Sequence, residues 1–371
     1  MPMSVELSEL FQQIGNNQYT NEALCLREQE LDNEAIKELS LALQKNTYIK
    51  SLDLSGNQFD GNAVKFLCKI NVKSLNLSGN LIGEEAYLFA QNWHMEEICL
   101  EECEVPDFAA SEILKNSKLR KINLSSNGLS DDALKMLPDS SPLEEIILNQ
   151  NKITYKGAQF LEKHKNIKVI NLGTNQIGDK GAEILSQNKT IIKLYLDQNN
   201  ITKQGFLKLC TSISIQELSL FNNDICFDAN DRLPKNTSFV RLNLGYNQID
   251  SKCKTLLQEL VSIPTLREID LTNNKIDDEG AQVLFKFKSS SLQMILEDNP
   301  VKKMHLMFNT VRQKVNEQSY SDESKIANTP FIQVVVQIST MSEEERTVVK
   351  NLLAANGLEI SPLKKQKLDN R

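Results

Sequence analysis

No two of the seven cysteines in this 371-residue chain stand in a C-x-x-C spacing, and their number is odd. Cys25, Cys68, Cys99, Cys103, Cys210, Cys226 and Cys253 therefore fit neither a zinc knuckle nor a paired disulfide framework, and they point to a reducing compartment. Histidine is scarcer still: His94, His164 and His305 lie far apart, with no HExxH and no His/Cys cluster at metal-ligand spacing. Also missing are a G-x-S-x-G elbow, a P-loop and a G-x-G-x-x-G turn after a strand. No metal, no cofactor and no catalytic residue are expected, so the chain does not read as an enzyme. The net charge of −7 lacks the basic excess of a nucleic-acid binder. No apolar run approaches the ~18 residues that span a bilayer, so no membrane insertion is expected. The opening MPMSVELSELF has no basic n-region ahead of an apolar core, so no Sec-type signal peptide is expected.

What is present is one pattern, repeated. Nearly everything from Leu24 to Val301 is a variant of Ile167 to Asn188, IKVINLGTNQIGDKGAEILSQN. Counted from Asn175, apolar residues fall at −8, −5 and −3 (Ile167, Ile170, Leu172) and at +2 (Ile177). A small pair follows at +6 and +7 (Gly181, Ala182), then Leu185 at +10. The first half alternates with period two, as a half-buried strand does, and the second half has helical spacing. The frame recurs with its anchor at Asn57, Asn80, Cys103, Asn127, Asn151, Asn175, Asn199, Asn223, Asn247, Asn274 and Asn299, in steps of 23 to 27 residues. A weaker copy carries Leu24, Leu26 and Leu31 around Gln29, which makes about twelve units. A period this short means stacked supersecondary units, here strand, turn and short helix.

Two positions explain themselves physically. An amide at the anchor offers both a donor and an acceptor, so stacked anchors are expected to form an interior ladder that pairs the backbone of the turns above and below. Position +6 is Ala, Gly or Cys in every unit from Ala35 to Gly280, which predicts that the first helical turn lies close to the neighbouring backbone.

L-x-x-L-x-L-x-x-N is the leucine-rich repeat pattern. The run N-x-I-x-x-x-G-A-x-x-L at Asn151 to Leu161, Asn175 to Leu185 and Asn274 to Leu284 resembles the ribonuclease-inhibitor-like class and the bacterial GALA repeats. The resemblance implies an α/β fold: a right-handed leucine-rich repeat solenoid, or horseshoe, with a parallel concave sheet, convex helices and helical caps at both ends. It further implies a protein-binding scaffold without chemistry of its own, similar to bacterial leucine-rich repeat effectors that act inside host cells. The partner would then be a host protein, and the chain a cytoplasmic monomer or one delivered into the host by a non-Sec route. Only 23 residues precede Leu24, too few for the F-box of GALA-type effectors, so a ubiquitin-ligase role is not expected.

Candidate contacts follow from the register, which sends −6, −4, −2 and −1 to the concave face. In the first turns these are small: Ser51, Asp53, Ser55, Gly56, Ser74, Asn76, Ser78 and Gly79. Further on, Ile147, Val169, Tyr195, Phe221 and Tyr246 stand on that face, with Lys193 and Arg241 beside them and Glu145 and Glu217 one turn earlier. Aromatics next to Arg are typical anchors of interfaces, so these seven apolar and basic residues form the expected partner-binding patch. Glu97, Glu101 and Glu102, with Glu96 and Glu104 near them, make a second, acidic patch.

Three segments result: a helical cap at 1–23, the repeats at 24–301, and 302–371 as a C-terminal cap and mostly helical module with a basic tail. In the first, Val5 to Ile14 is expected to be helical, with Val5, Leu10, Phe11 and Ile14 inward. The Asn223 unit, carrying Pro234, is expected to lack a regular helix. In the last, Met304 to Val315 and Ser342 to Ala355 read as helices, and FIQVVVQI at Phe331 to Ile338 as a strand or a helix start. A rival reading makes 302–371 the active module and the repeats its targeting arm.

Overall fold

Three-residue strands recur once per unit, each centred on the apolar residue five before the anchor. From Ala23–Cys25 to Gln293–Ile295 they pair in parallel, each with its neighbour in chain order, and Val334–Val335 adds a thirteenth strand to the open row. The structure, a computed structural model, describes residues 5–235, 237, 239–301 and 334–335. The expected helices at Met304 to Val315 and Ser342 to Ala355, the C-terminal helical cap and the basic tail lie outside the described residues.

The register puts Leu52, Leu75, Ile98, Ile122, Ile146, Ile170, Leu194, Leu218, Leu242, Ile269 and Met294 in one line, none more than 4% exposed. Period-two alternation leaves their strand neighbours on the other side facing water. Behind this line stand the helices, among them Asn33–Leu43, Tyr155–Glu162, Gly178–Ser186 and Asp278–Phe287. In other turns the same stretch is 3-10, as at Gly83–Gln91 and Asp131–Leu134. Strands and helices differ in width, so stacking them curves the solenoid with the sheet inside the bend.

Each anchor amide is a rung. Asn57 donates from Nδ2 to the carbonyls of Leu26 and Leu54, and its Oδ1 accepts from the N–H groups of Gln29 and Leu31. Asn199 repeats the arrangement with Leu172 and Asp197 as acceptors and is fully buried. The side chain thus reaches its own turn and the preceding one; the following turn is joined because the next asparagine reaches back. Cys103 fills the same slot and points Sγ at the Leu77 carbonyl, 3.1 Å away, while burial pushes its thiol pKa up to about 12. It serves as a small apolar residue rather than a nucleophile.

Two further ladders brace the helix side. At +3 most turns carry an Asp, Ser or Thr that caps the helical turn, as Thr154 does for Lys156 and Asp277 for Glu279 and Gly280. At +4 a polar side chain reaches the next turn: Asp131 accepts from Thr154 N–H, Thr154 Oγ1 and Gly157 N–H, and Asp179 does the same for Thr202 and Gly205. At −11 stand Asn46, Asn92, Asn116 and Asn188, all buried, whose amides hold carbonyls of the preceding turn. The chain at Asn175 has His164 in that slot, 2% exposed, with no partner for Nδ1.

The reason for small residues at +6 is partly different from the expected one. A Cβ on Gly157 or Gly181 would lie 2.4 Å from Cγ2 of the isoleucine at +2 in the same turn, Ile153 or Ile177. At Gly205 it would meet the Asp179 carboxylate at 2.5 Å and only then backbone, at 3.1 Å. The crowding comes from the core isoleucine and the +4 carboxylate more than from neighbouring backbone.

At the N-terminal end the helix Val5–Gly15 covers the first turn with Phe11 and Ile14 buried. Val5, expected inward, is 74% exposed; Leu7 packs on the core beside Leu10 instead. Between Ser219 and Arg241 there is no helix among the described residues, as the Pro234 segment implied. That stretch is tied down by side chains: Phe227 meets Phe206 edge-on at 5.4 Å, and Glu259 accepts from the Leu233 N–H.

His164 carries a pH consequence. Burial lowers its pKa below the usual 6.5, only partly countered by Asp139. Folding then favours the neutral ring, so stability is complete above the unfolded pKa and falls as pH drops below it. His164→Asn is expected to restore the amide pattern, raise stability by about 1 kcal/mol, and flatten the fall in Tm between about pH 7.5 and 5.5; thermal melts of both chains across that range check it.

Candidate functional site

The sheet's open face is a set of parallel rows, because equivalent residues of successive turns stand about 4.8 Å apart. The row at −6 reads Glu97, Lys121, Glu145, Val169, Lys193, Glu217, Arg241, Glu268. Its charges alternate in sign on both sides of Val169. Neighbouring opposite charges attract across the strands, and each such exposed pair is worth at most about 1 kcal/mol.

Glu217 is the centre of this row. Its carboxylate accepts from Tyr195 Oη at 2.6 Å and from Arg241 Nε at 3.1 Å and Nη2, and it lies 3.4 Å from Lys193 Nζ. Burial pushes the Glu217 pKa up, but these hydrogen bonds and the charges of Arg241 and Lys193 outweigh it and leave the group below the usual carboxylate range. Burial first, and then the same contact, holds the Tyr195 hydroxyl well above its ordinary value, so it remains a donor. Lys193, Tyr195 and Arg241 are therefore one unit, tied through a residue that lay on the face but outside the expected patch.

Beside this unit is an aromatic pair. The rings of Phe221 and Tyr246 lie 4.7 Å apart at 47°. Space for Phe221 comes from Gly245, where an added Cβ would approach the ring to 3.2 Å. The Phe221 N–H is fixed at 2.9 Å by Asp197, which also accepts from Ser219 Oγ. Burial raises the Asp197 pKa against these two hydrogen bonds. Sequence reading passed over Asp197 and Ser219; their signal is a Ser at −4 of one turn adjoining an Asp at −2 of the turn before.

Tyr246 is 44% exposed and stands at φ 55°. Every −1 residue from Gly56 to Asp298 is in this left-handed region. Gly56, Gly79, Asn222 and Asn273 suit it, whereas a bulky ring there carries strain of about 1 kcal/mol or more. Strained bulky residues that are also exposed gather at functional positions.

Of the remaining expected contacts, Val169 adjoins Lys193 in the register, and Ile147 is separated from Tyr195 by Asn171. Both are half-buried. In the acidic patch, Glu97 pairs with Lys121 at 2.9 Å and Glu101 accepts from Asn123 at 3.0 Å, while Glu102 is exposed. Glu96 pairs with Lys73 at 2.8 Å.

The leucine-rich repeat sequence pattern matches this chain at residues 45–68, 115–137, 163–186, 235–252 and 262–285. The chain is a leucine-rich repeat protein. A human relative, NACHT, LRR and PYD domains-containing protein 14, is 30% identical over 129 residues, 33% of this chain; the aligned part is 10% of the relative's length. An internalin from Listeria monocytogenes superposes with a TM-score of 0.57 at 18% identity, covering 82% of this chain and 91% of that one. The structure of the Drosophila Toll–Spatzle complex gives 0.51 at 16% identity, over 81% of this chain and 43% of that one. At these identities the likeness is one of fold. Among the described residues of this leucine-rich repeat chain, no helix is long and apolar enough to cross a membrane.

Tyr246→Asn tests whether the ring is there for the fold. Loss of the aromatic contact costs about 0.5–1.5 kcal/mol and relief of the left-handed strain returns a similar amount. Chemical denaturation is expected to give a stability within about 1 kcal/mol of the parent; a larger loss would make the ring structural.

Proposed function

We propose that this leucine-rich repeat chain is a non-catalytic scaffold that binds a protein partner on its concave sheet. The observation that carries the reading is the Phe221–Tyr246 pair, exposed on that face with Tyr246 in a strained conformation. The Tyr195–Glu217–Arg241–Lys193 unit flanks it and supplies oriented polar groups whose ion pairs are already made. Such a unit contributes direction and discrimination more than affinity, since a partner that buries it must satisfy each group. Val169 and Ile147 extend the patch toward the earlier turns, and Glu97, Glu101 and Glu102 form a secondary acidic area.

The finer assignment, a monomeric bacterial effector that reaches a host protein in the host cytoplasm by a non-Sec route, rests on the N-x-I-x-x-x-G-A-x-x-L runs at Asn151, Asn175 and Asn274. The rival role for 302–371 as a separate active module is weakened by Val334–Val335, which continues the sheet beside Gln293–Ile295 in parallel register.

Affinity capture with the full chain tests the concave reading. Phe221→Ala with Tyr246→Ala is expected to weaken capture of the partner by about 30-fold or more, the effect of losing ~2 kcal/mol of anchor contacts. Phe108→Ala, at an exposed helix position on the convex side, is expected to change nothing. Equal capture by the double variant overturns the assignment.

A further inference from the structure

Away from the concave patch, an open cleft of about 540 Å³ lies along the edge where each helix hands over to the next strand. Its walls include Lys50, Lys73, Trp93, His94, Glu96 and Lys118, drawn from four consecutive turns. Trp93 is the chain's one tryptophan and is 66% exposed. The fold does not call for an indole there: ten residues before other anchors stand Ser117, Lys165 and Lys189. Three lysines face a single glutamate in a chain whose net charge is −7. Lys73 is engaged by Glu96 at 2.8 Å, and Lys50 Nζ donates to the Thr47 carbonyl at 2.7 Å. Lys118 has no carboxylate partner among the described residues.

We propose that this cleft binds an extended acidic peptide segment of a protein partner, with one apolar side chain of that segment laid on Trp93. Small-molecule sites are enclosed and mostly apolar, whereas this cleft is open and rimmed by charge. Lys50 and Lys73 stand at the same position of adjacent turns and Lys118 lies two turns further on, so carboxylates spaced along an extended segment can meet lysines on both sides of the indole that anchors it. The Lys73–Glu96 pair is exposed on both sides, 59% and 39%, so an incoming carboxylate can replace Glu96 at little cost. The site is distinct from the Phe221–Tyr246 surface and makes a second, charge-driven contact.

Trp93 emission in the full chain reports occupancy directly. The probe is a synthetic peptide of glutamates around one central leucine, compared with an alanine-centred peptide, a lysine peptide, ATP and a single-stranded RNA oligomer. Saturable change with the glutamate–leucine peptide is expected, weakened about tenfold by Lys50→Ala with Lys118→Ala and also by added salt. Calorimetry with Trp93→Ala is expected to lose the preference for leucine over alanine, with Tm unchanged. The concave variant Phe221→Ala/Tyr246→Ala should bind the peptide as the parent does. Unchanged affinity in the lysine variant, no saturation, or tighter binding of the lysine peptide, ATP or RNA would each overturn the proposal.

Discussion

The fold depends on a buried amide hydrogen bond repeated turn after turn. A solenoid must bend its chain inward after each short strand, which carries backbone N–H and C=O groups out of water and leaves them a debt of roughly 1–3 kcal/mol apiece if unpaired. The anchor asparagine meets two carbonyls and two N–H groups at once, as Asn57 does with Leu26, Leu54, Gln29 and Leu31. No other uncharged side chain of that length offers both functions. Strand pairing, core line and outward face then follow, because once the anchor is inside, alternation decides which neighbours are not.

Much of this was legible in the residues alone. The anchors fixed the register, and the register placed Tyr195, Phe221 and Tyr246 on the open face and Leu194 and Leu218 in the core. The N-terminal helix and the irregular Pro234 segment were legible as well. Pairing was not. That Glu217 holds Tyr195, Lys193 and Arg241 together requires side-chain lengths and angles, which a spacing does not encode. The −11 ladder escaped because only some turns carry its asparagine and His164 interrupts it. Crowding at +6 was visible as small residues, but its source, a core isoleucine and a carboxylate one turn earlier, is a three-dimensional fact. Val5 was misplaced because helical spacing alone does not separate a face from its frayed first residue.

The open face also illustrates a division of labour. Alternating charges along one row keep a long exposed sheet from presenting a single-sign field, and they do so at almost no net energy. The row is broken at Val169, and the rings of Phe221 and Tyr246 stand beside it at other positions of the same face.

The Asn223 turn gives that arrangement a mechanical meaning. In a nearest-neighbour array cooperativity divides at the weakest junction. Here the helices Lys203–Leu209 and Lys254–Val261 are separated by a turn with no helix among its described residues. Phe221 sits on the near side of that seam and Tyr246 on the far side. On the proposed reading, a partner resting on both rings would act as a splint across it, its binding free energy added to the coupling between the two blocks.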